Sequence, residues 1–319
     1  MREKRPQRPK WLRVLGGIAY VLFLVCVLSV ASFAGWMKQS PLVSEMIKGA
    51  IVGHPTPKQE FGKDSVTLLV LGCDSDYTTG GGRITRKYSR SDMMLVAKLD
   101  FANKRITGVS IPRDTECRLP GYRAMKINAY HAISKESEAD QLSKEAVEFL
   151  LPGVTIDRVV TLDFEAFQKM VDMLGGVNVD VEKRMAYNDR AGHLKIDLQA
   201  GPQKLTGYEA MGYVRFRHND SDFKRQDRQK QFLLAVKQEM LKPENLKSLP
   251  QIIEQGKQVL NGALDDKELA SLMFFAKEVK PESIKLGQIP VIESAKSTNL
   301  LVDEEKLPQT LTEYGLVGA

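Results

Sequence analysis

Cysteine, histidine and tryptophan are scarce in this chain of 319 residues. It contains three cysteines, four histidines and two tryptophans. Three cysteines exclude a small domain held together by disulfides, and no two of them have the C-x-x-C spacing of a zinc or thioredoxin-type site. The histidines are scattered, which excludes a histidine-rich metal site. Because 43% of the residues are hydrophobic, a disordered chain is also excluded, and a substantial core is expected.

Net charge is also scarce outside the N-terminus. The chain carries +6 in total, but its first thirteen residues hold six basic residues and one acidic residue. The remaining 306 residues therefore carry only +1. A near-neutral body gives no indication of a nucleic-acid partner, and we predict none.

A long uncharged segment follows the basic tail. Residues 14–37 contain no charged residue and are long enough to cross a bilayer as a helix of roughly 20 residues. Basic residues before such a segment predict a cytoplasmic tail at residues 1–13, a single-pass membrane anchor and an extracytoplasmic body. A cleavable secretory signal is the alternative, although its apolar region usually has only about 7–15 residues. Both interpretations export the rest of the chain.

The exported part predicts an α/β domain. Residues 38–62 contain three prolines and are interpreted as a stalk, residues 63–303 as the folded domain and residues 304–319 as a C-terminal tail. Apolar runs typical of strands occupy residues 66–72, 93–99, 106–111, 156–162, 177–181 and 284–290. They alternate with helical patterns such as 164–174 and 224–241, and a polar connection is expected before a helix from about residue 206. This alternation is typical of a central sheet with helices on both faces.

Charged side chains stand where the predicted strands end or begin. Asp74 follows the first apolar run and Asp92 precedes the second, so strand pairing would bring two carboxylates together. Such a pair can hold a Mg²⁺ ion that keeps much of its water shell. For Asp74, the start of an ordinary turn is the alternative. Arg113 and Asp114 follow the third run, where Pro112 fixes the exit path.

Residues 215–229 form a second concentration of charge. Arg215 and Arg217 would point to one side of an extended segment, while Arg225, Arg228 and Gln229 share one face of a helix start. Guanidinium groups bind phosphate oxygens in pairs, so their convergence suits a pyrophosphate. A solvated basic face balanced by neighbouring aspartates is the alternative.

The order of these motifs resembles the LytR-CpsA-Psr family. The resemblance covers roughly residues 66–241 and extends to the single N-terminal anchor. The motifs that carry it are Leu71–Asp74, Arg90–Asp92, Ile111–Asp114, Lys126–Asn128, Leu174–Val177, Arg215–Arg217 and Arg225–Gln229. For the fold, it implies a three-layer α/β/α sandwich with a central mixed sheet, preceded by one N-terminal transmembrane helix.

The resemblance also implies an activity. Members of the family move anionic glycopolymers, such as teichoic acids and capsular polysaccharides, from a polyprenyl-pyrophosphate carrier to peptidoglycan. This chain would then be a Mg²⁺-dependent phosphotransferase of the cell membrane that joins the polymer to a sugar hydroxyl and releases polyprenyl phosphate. A hydrolase that uses water as acceptor, or a non-catalytic binder of polyprenyl lipids, remains an alternative.

Individual roles follow from the same resemblance. Asp74 and Asp92 match the aspartates that bind Mg²⁺ in the family. Asp74 or Asp92 would also accept the proton of the attacking hydroxyl. Arg113 is expected to be catalytic. The positions around the pyrophosphate are Arg90, Arg113, Arg215, Arg217, Arg225 and Gln229, to which Arg228 is added from the same motif.

Four features beside the expected site either depart from the family pattern or allow two interpretations. Asp76 stands where the family commonly has an arginine, and the stretch after Lys126–Asn128 lacks the usual paired glycines. His131, in that stretch, is expected to pack rather than to catalyse. Cys73 and Cys117 either form a disulfide or stay reduced and buried, and the second interpretation is favoured.

Overall fold

The computed structural model describes residues 56–73, 90–133, 138–189, 194–216, 222–240, 242, 245, 263–295 and 297–318. The predicted cytoplasmic tail and transmembrane helix lie outside these ranges, so both stay predictions. Within the ranges, no helix has the length and apolar character needed to cross a bilayer.

Helices and strands alternate along much of the described chain. In chain order the elements are α1 (Pro57–Phe61), β1 (Ser65–Cys73), β2 (Ser91–Asp100), β3 (Arg105–Ser110), β4 (Glu116–Cys117), β5 (Met125–Lys126), α2 (Ala129–Ile133), α3 (Ala139–Leu150), β6 (Arg158–Asp163), α4 (Phe164–Met173), β7 (Val177–Val181), β8 (Met185–Asp189), β9 (Leu194–Leu198), β10 (Gly201–Leu205), α5 (Gly207–Arg215), α6 (Asp222–Met240), α7 (Asp266–Glu278), a 3-10 turn (Pro281–Ser283), β11 (Ile284–Gln288), β12 (Val291–Glu293), β13 (Leu300–Val302) and α8 (Leu307–Glu313).

The central sheet of the described chain has the strand order β11, β3, β2, β1 and β6. β2 runs antiparallel to both β1 and β3, whereas β6 is parallel to β1 and β11 is parallel to β3. The sheet is therefore mixed, as predicted.

β1 is buried on both of its faces. Leu69 and Leu71 are fully buried in the main hydrophobic core, and Leu68 packs in a second cluster on the opposite face. Successive side chains point to opposite faces of a strand, so a strand covered on both sides reads as a continuous apolar run. This is why the run at 66–72 identifies β1.

Helices cover both faces of the sheet. Leu142, Ala146 and Val147 of α3 are buried in the main core, at spacings that place them on one side of the helix. On the opposite face, Phe275 of α7 packs in one cluster with Leu99 of β2. This arrangement confirms the predicted α/β class.

A further hydrophobic core joins α4, α5 and α6 to β7–β10. Val177, Leu205 and Tyr213 are almost completely buried in it. The rings of Phe167 on α4 and Phe232 on α6 have their centroids 5.5 Å apart. This core supports the helix that ends at Arg215.

The predicted polar connection before α5 contains the hairpin of β8 and β9. Met185, Ile196 and Leu198 are buried, whereas Lys195 and Asp197 are exposed. The alternation covers so few residues that it gives no clear strand pattern in the sequence.

Residues 304–318, predicted as a tail, contribute to the main core. Leu307 and Leu311 of α8 and the following Leu316 are buried in the same cluster as the strands. Lys98 of β2 also donates a hydrogen bond, 2.7 Å long, to the carbonyl of Gly315. The folded domain thus continues past residue 303 through a helix too short to show a clear periodicity.

The end of the predicted stalk also belongs to the folded part. Thr56 and Gln59 form a capping box at the start of α1, where Pro57 occupies the first turn. Phe61 at the end of α1 stacks on Phe101, with ring centroids 5.8 Å apart.

Candidate active site

Asp92 and Arg113 meet at one end of the central sheet. Leu95 of β2 lies opposite Ser110 of β3, and the antiparallel register continued outward brings Asp92 opposite Arg113. Arg113 Nη1 is 3.0 Å from Asp92 Oδ2. The Asp92 side chain is 19% exposed and that of Arg113 is 41% exposed, so solvent reaches both.

Arg215 brings a second cation to the same carboxylate. It is the last residue of α5, and its Nη2 atom lies 4.0 Å from Asp92 Oδ2. The structure therefore brings together three of the predicted site residues, from two strand ends and one helix end.

The start of α5 fixes where Arg215 lies. The Glu209 N–H donates to the Thr206 hydroxyl, and the Thr206 N–H donates in return to Glu209 Oε2 at 2.9 Å. Gly207 packs so closely on α4 that a Cβ at this position would come within 2.2 Å of the Gln168 carbonyl oxygen. Cap and close approach together determine the position of the helix.

Two charged residues that the sequence analysis did not assign to the site extend it. Asp114 Oδ2 lies 3.7 Å from Arg113 Nε, and Lys126 Nζ lies 2.6 Å from Asp114 Oδ1. Lys126 arrives there because β5 pairs with β4, where Glu116 lies opposite it. Asp114 and Lys126 lie in the motifs Ile111–Asp114 and Lys126–Asn128, each of which contains a charged residue next to an apolar segment. This is the signal in the sequence by which both residues could have been assigned to the site.

Five side chains thus form a line of alternating charge, which we name the charge row: Lys126, Asp114, Arg113, Asp92 and Arg215. With three cations and two carboxylates it carries one net positive charge. Burial disfavours the charged form of Arg113 and by itself would lower its pKa. The neighbouring carboxylates of Asp92 and Asp114 have the larger effect, so the pKa of Arg113 is raised above its ordinary value. A surplus of permanent positive charge at a solvent-accessible edge suits a phosphate-bearing anion.

Arg228 lies in the interior. Arg228 is only 5% exposed. Its Nη2 donates a hydrogen bond to the carbonyl of Phe216, and its guanidinium carbon is 5.8 Å from the centroid of the Phe216 ring. Phe216 directly follows Arg215. Through these contacts Arg228 supports the end of α5, and its predicted contact with pyrophosphate stays a prediction.

The other predicted site residues are described in part or lie outside the described ranges. Arg90 is exposed and lies directly before β2. Arg225 and Gln229 lie on α6, but only their backbone is described. Asp74 and Arg217 lie outside the described residues.

The end of β1 nevertheless lies beside the start of β2. Cys73 pairs with Ser91 after an irregularity in the register between Gly72 and Cys73. Asp92 directly follows Ser91, so it lies at the end of the sheet where β1 ends. Asp74 is the next residue of the sequence after Cys73 and lies outside the described residues.

Cys73 and Cys117 are both free and buried, which agrees with the favoured interpretation. Burial raises the pKa of the Cys117 thiol to about 11. Cys117 is therefore a neutral thiol at physiological pH.

A metal site of several protein ligands is not found within the described ranges, which hold no suitable group of three or more His, Cys, Asp or Glu side chains. A Mg²⁺ ion that also binds substrate phosphates commonly needs only one or two carboxylates. Asp92 is a partly exposed carboxylate next to the guanidinium groups of Arg113 and Arg215, so its chemistry fits that mode. The second predicted ligand, Asp74, lies outside the described residues.

Comparison with known proteins identifies the family. The LytR_cpsA_psr family model matches residues 40–314. The regulatory protein MsrR of Staphylococcus aureus is 30% identical over 256 residues, which are 79% of this chain and 72% of MsrR. TagT of Bacillus subtilis, named polyisoprenyl-teichoic acid--peptidoglycan teichoic acid transferase, is 31% identical over 297 residues, which are 89% of this chain and 88% of TagT.

The folds agree as well. The crystal structure of TagV from Bacillus subtilis matches with a TM-score of 0.61 at 28% identity, and the match covers 81% of this chain and 99% of the TagV chain. The sequence match and the fold match agree, and the family match spans the whole charge row. The chain belongs to the LytR-CpsA-Psr family.

Proposed function

We propose that this chain is a phosphotransferase that moves an anionic glycopolymer from a polyprenyl-pyrophosphate carrier to a sugar hydroxyl of peptidoglycan. The observation that carries the proposal is the placement of Arg113 and Arg215 around Asp92 at a solvent-accessible end of the sheet. Support also comes from TagT, a relative named as a transferase between teichoic acid and peptidoglycan.

The cations would bind the pyrophosphate of the donor. Arg113 and Arg215 supply planar guanidinium groups that can each bind two phosphate oxygens. We assign Arg90, Arg217, Arg225 and Gln229 to the same task, because they match the family motif. Arg228 would act indirectly, through its bond to the backbone after Arg215.

The reaction would be an in-line displacement at phosphorus. The oxygen of a peptidoglycan sugar hydroxyl forms a bond to the phosphorus that carries the glycopolymer, and the bond from that phosphorus to polyprenyl phosphate breaks. The proton of the hydroxyl passes to the carboxylate of Asp74 or Asp92. Arg113 and Arg215 stabilise the negative charge that develops on the phosphate oxygens and on the leaving group.

Mg²⁺ is the cofactor that we propose, with Asp74 and Asp92 as its protein ligands. When bound, it would neutralise part of the pyrophosphate charge. The partly exposed Asp92 carboxylate supports this assignment.

We further propose that the chain is held in the cell membrane by residues 14–37, with its N-terminus in the cytoplasm and its folded domain outside. The support is the uncharged segment after a basic tail. This location would give the domain access to a membrane-bound donor and to peptidoglycan.

The decisive experiment uses the full-length chain, a synthetic polyprenyl-pyrophosphoryl glycan and peptidoglycan oligomers. Products are analysed by mass spectrometry with Mg²⁺ or with EDTA. We expect a phosphodiester between glycan and peptidoglycan with Mg²⁺ only. Free glycan phosphate alone would indicate a hydrolase, and bound but unchanged lipid would indicate a non-catalytic binder.

A matched pair of variants localises the activity. Asp92→Asn removes one of the two carboxylates of the charge row, the one at the start of β2. Asp100→Asn removes a carboxylate at the other end of the same strand, where it accepts hydrogen bonds from Asn103 and Arg105. Transfer should be lost in the first variant and kept in the second. Equal activity in both would contradict the assigned role of Asp92.

A further inference from the structure

A chain of hydrogen-bonded side chains lies at the end of the sheet where Asp92 is found. We name it the His131 array: Cys73, His131, Asp140 and Thr161. Cys73 Sγ lies 3.7 Å from Nδ1 and 3.9 Å from Nε2 of His131. His131 Nε2 is 3.4 Å from Asp140 Oδ1. Asp140 Oδ1 also accepts a hydrogen bond of 2.6 Å from Thr161 Oγ1. The His131 side chain is only 5% exposed, so these contacts lie in the interior.

The His131 array closes a loop through the central sheet. Thr161 lies on β6 opposite Leu71 of β1, and Cys73 is two residues further along β1. His131 belongs to α2 and Asp140 to α3. The array therefore ties two helices to two neighbouring strands, at the strand end where Cys73 pairs with Ser91 of β2.

The segment that leads into α2 also holds the start of β2. The carbonyl of Asn128 accepts a hydrogen bond of 3.4 Å from the Ser91 N–H. Ser91 directly precedes Asp92, just as Cys73 directly precedes Asp74. One short stretch of chain thus contacts the residue before each of the two predicted acidic groups.

The contact with Asp140 defines which nitrogen of His131 carries the proton. Nε2–H of His131 donates to Asp140, while the Cys73 thiol packs against the imidazole ring near both nitrogens. Burial raises the pKa of Asp140, but the hydrogen bonds from His131 and Thr161 outweigh it and the pKa is lowered overall. Asp140 is therefore ionised at neutral pH and suited to hold the imidazole.

We propose that His131, held by Asp140, is a positioning residue that fixes Cys73 and, through the pairing of Cys73 with Ser91, the start of β2 that carries Asp92. The proposal rests on the proposed function, in which Asp74 and Asp92 act on one donor. His131 needs no contact with substrate for this role. It acts through the strand end, as residues behind a metal ligand or a catalytic group commonly do.

Two matched pairs of variants test the proposal. Cys73→Ala and Cys117→Ala each remove a thiol that is buried in the main core. The two thiols differ in their contacts, because Cys73 contacts His131, whereas Cys117 Sγ contacts the Ala146 carbonyl at 3.6 Å. His131→Phe and Tyr130→Phe both change α2. The Tyr130 hydroxyl accepts a hydrogen bond of 3.1 Å from the Leu119 N–H and donates one of 3.0 Å to the Cys117 carbonyl. Removing this hydroxyl therefore perturbs the core outside the His131 array.

The first measurement is hydrogen–deuterium exchange of the full-length chain without metal or donor. We expect amides of residues 66–73 and 91–96 to exchange about tenfold faster in Cys73→Ala and His131→Phe than in the wild type, and at the wild-type rate in the two controls. Equal exchange within each pair would overturn the proposal. This readout does not depend on turnover, so it is separate from the test of the function.

The second measurement is steady-state transfer in the same variants. We expect kcat to fall about 10–100-fold in His131→Phe, with the KM for the lipid donor little changed, because the arginines stay in place. An unchanged kcat with altered exchange would overturn the role in positioning Asp92. Absence of transfer in the wild type would overturn the proposed function, while the exchange data still decide whether His131 holds the strand end.

Discussion

Arg113 is held from two sides, by Asp92 at 3.0 Å and by Asp114 at 3.7 Å. A guanidinium group that is already oriented loses little conformational freedom when an anion binds, and this is how charged sites are organised before a reaction. Lys126 balances Asp114 on its far side. At the scale of single residues, the site therefore consists of cations whose directions are set by carboxylates.

Arg113→Lys tests whether this geometry matters beyond charge. Lysine keeps the positive charge but lacks the planar fork that contacts both carboxylates. We expect kcat/KM for transfer to fall by about 10²–10³-fold, measured by product formation. Arg105→Lys is the matched control, because Arg105 begins β3 and pairs with Asp100 at 3.3 Å away from the charge row. A similar loss in both variants would contradict the specific role of Arg113.

The pKa of Asp140 predicts how stability changes with acidity. The folded state holds this pKa below its ordinary value of 3.8, so the contribution of Asp140 is present above that value and is lost as the pH falls through the folded pKa. Thermal unfolding of the wild type and Asp140→Asn should therefore differ at pH 7, with the wild type more stable. The difference should shrink below about pH 4. A difference that is constant from pH 7 to pH 3 would refute this linkage.

At the scale of elements, the sequence was informative where apolar runs are continuous. The run at 66–72 matches β1, and the predicted helix at 164–174 matches α4, because burial selects unbroken or regularly spaced apolar residues. The hairpin of β8 and β9 was missed, because only one of its faces is apolar and over few residues. Lys126 was missed as a site residue, because its approach to Asp114 depends on the pairing of two short strands.

Gly207→Ala tests the position of α5. A Cβ at residue 207 would lie 2.2 Å from the Gln168 carbonyl oxygen, and backbone atoms give way only at a cost. We expect a loss of about 1–3 kcal/mol in the free energy of unfolding, measured by denaturant titration, and a reduced transfer rate because Arg215 ends the same helix.

Gly212→Ala is the matched control in α5. Its Cβ would meet a side-chain carbon of Ile196 at 3.0 Å, and a side chain can adjust. The destabilisation should be clearly smaller than that of Gly207→Ala. An equal or larger loss in Gly212→Ala would show that the approach to α4 does not determine the position of the helix.

At the scale of the whole molecule, the extent of the folded domain was the least predictable property. The predicted boundaries at residues 62 and 304 follow proline content and the end of clear periodicity. The structure instead packs Phe61 on Phe101 and buries Leu307, Leu311 and Leu316. Short terminal helices carry too few residues for a clear pattern, although their side chains are buried in the fold.

Leu311→Ala tests the contribution of α8. Leu311 is 2% exposed, and truncating a buried leucine costs about 2–5 kcal/mol. We expect this loss in the free energy of unfolding from denaturant titration. Leu301→Ala, at a leucine that is 36% exposed, is the control and should cost much less. Equal and small effects would mean that residues 304–318 are not part of the cooperative fold.

The burial of Leu316 among the strands has a consequence for the timing of folding. This residue is synthesised about 240 residues after β1, and at roughly 5–20 residues per second the interval is on the order of 12–50 s. Until then, β1 and β2 lack one of the helices that cover them. The main core is therefore completed late in biosynthesis, only after the last described helix has been made.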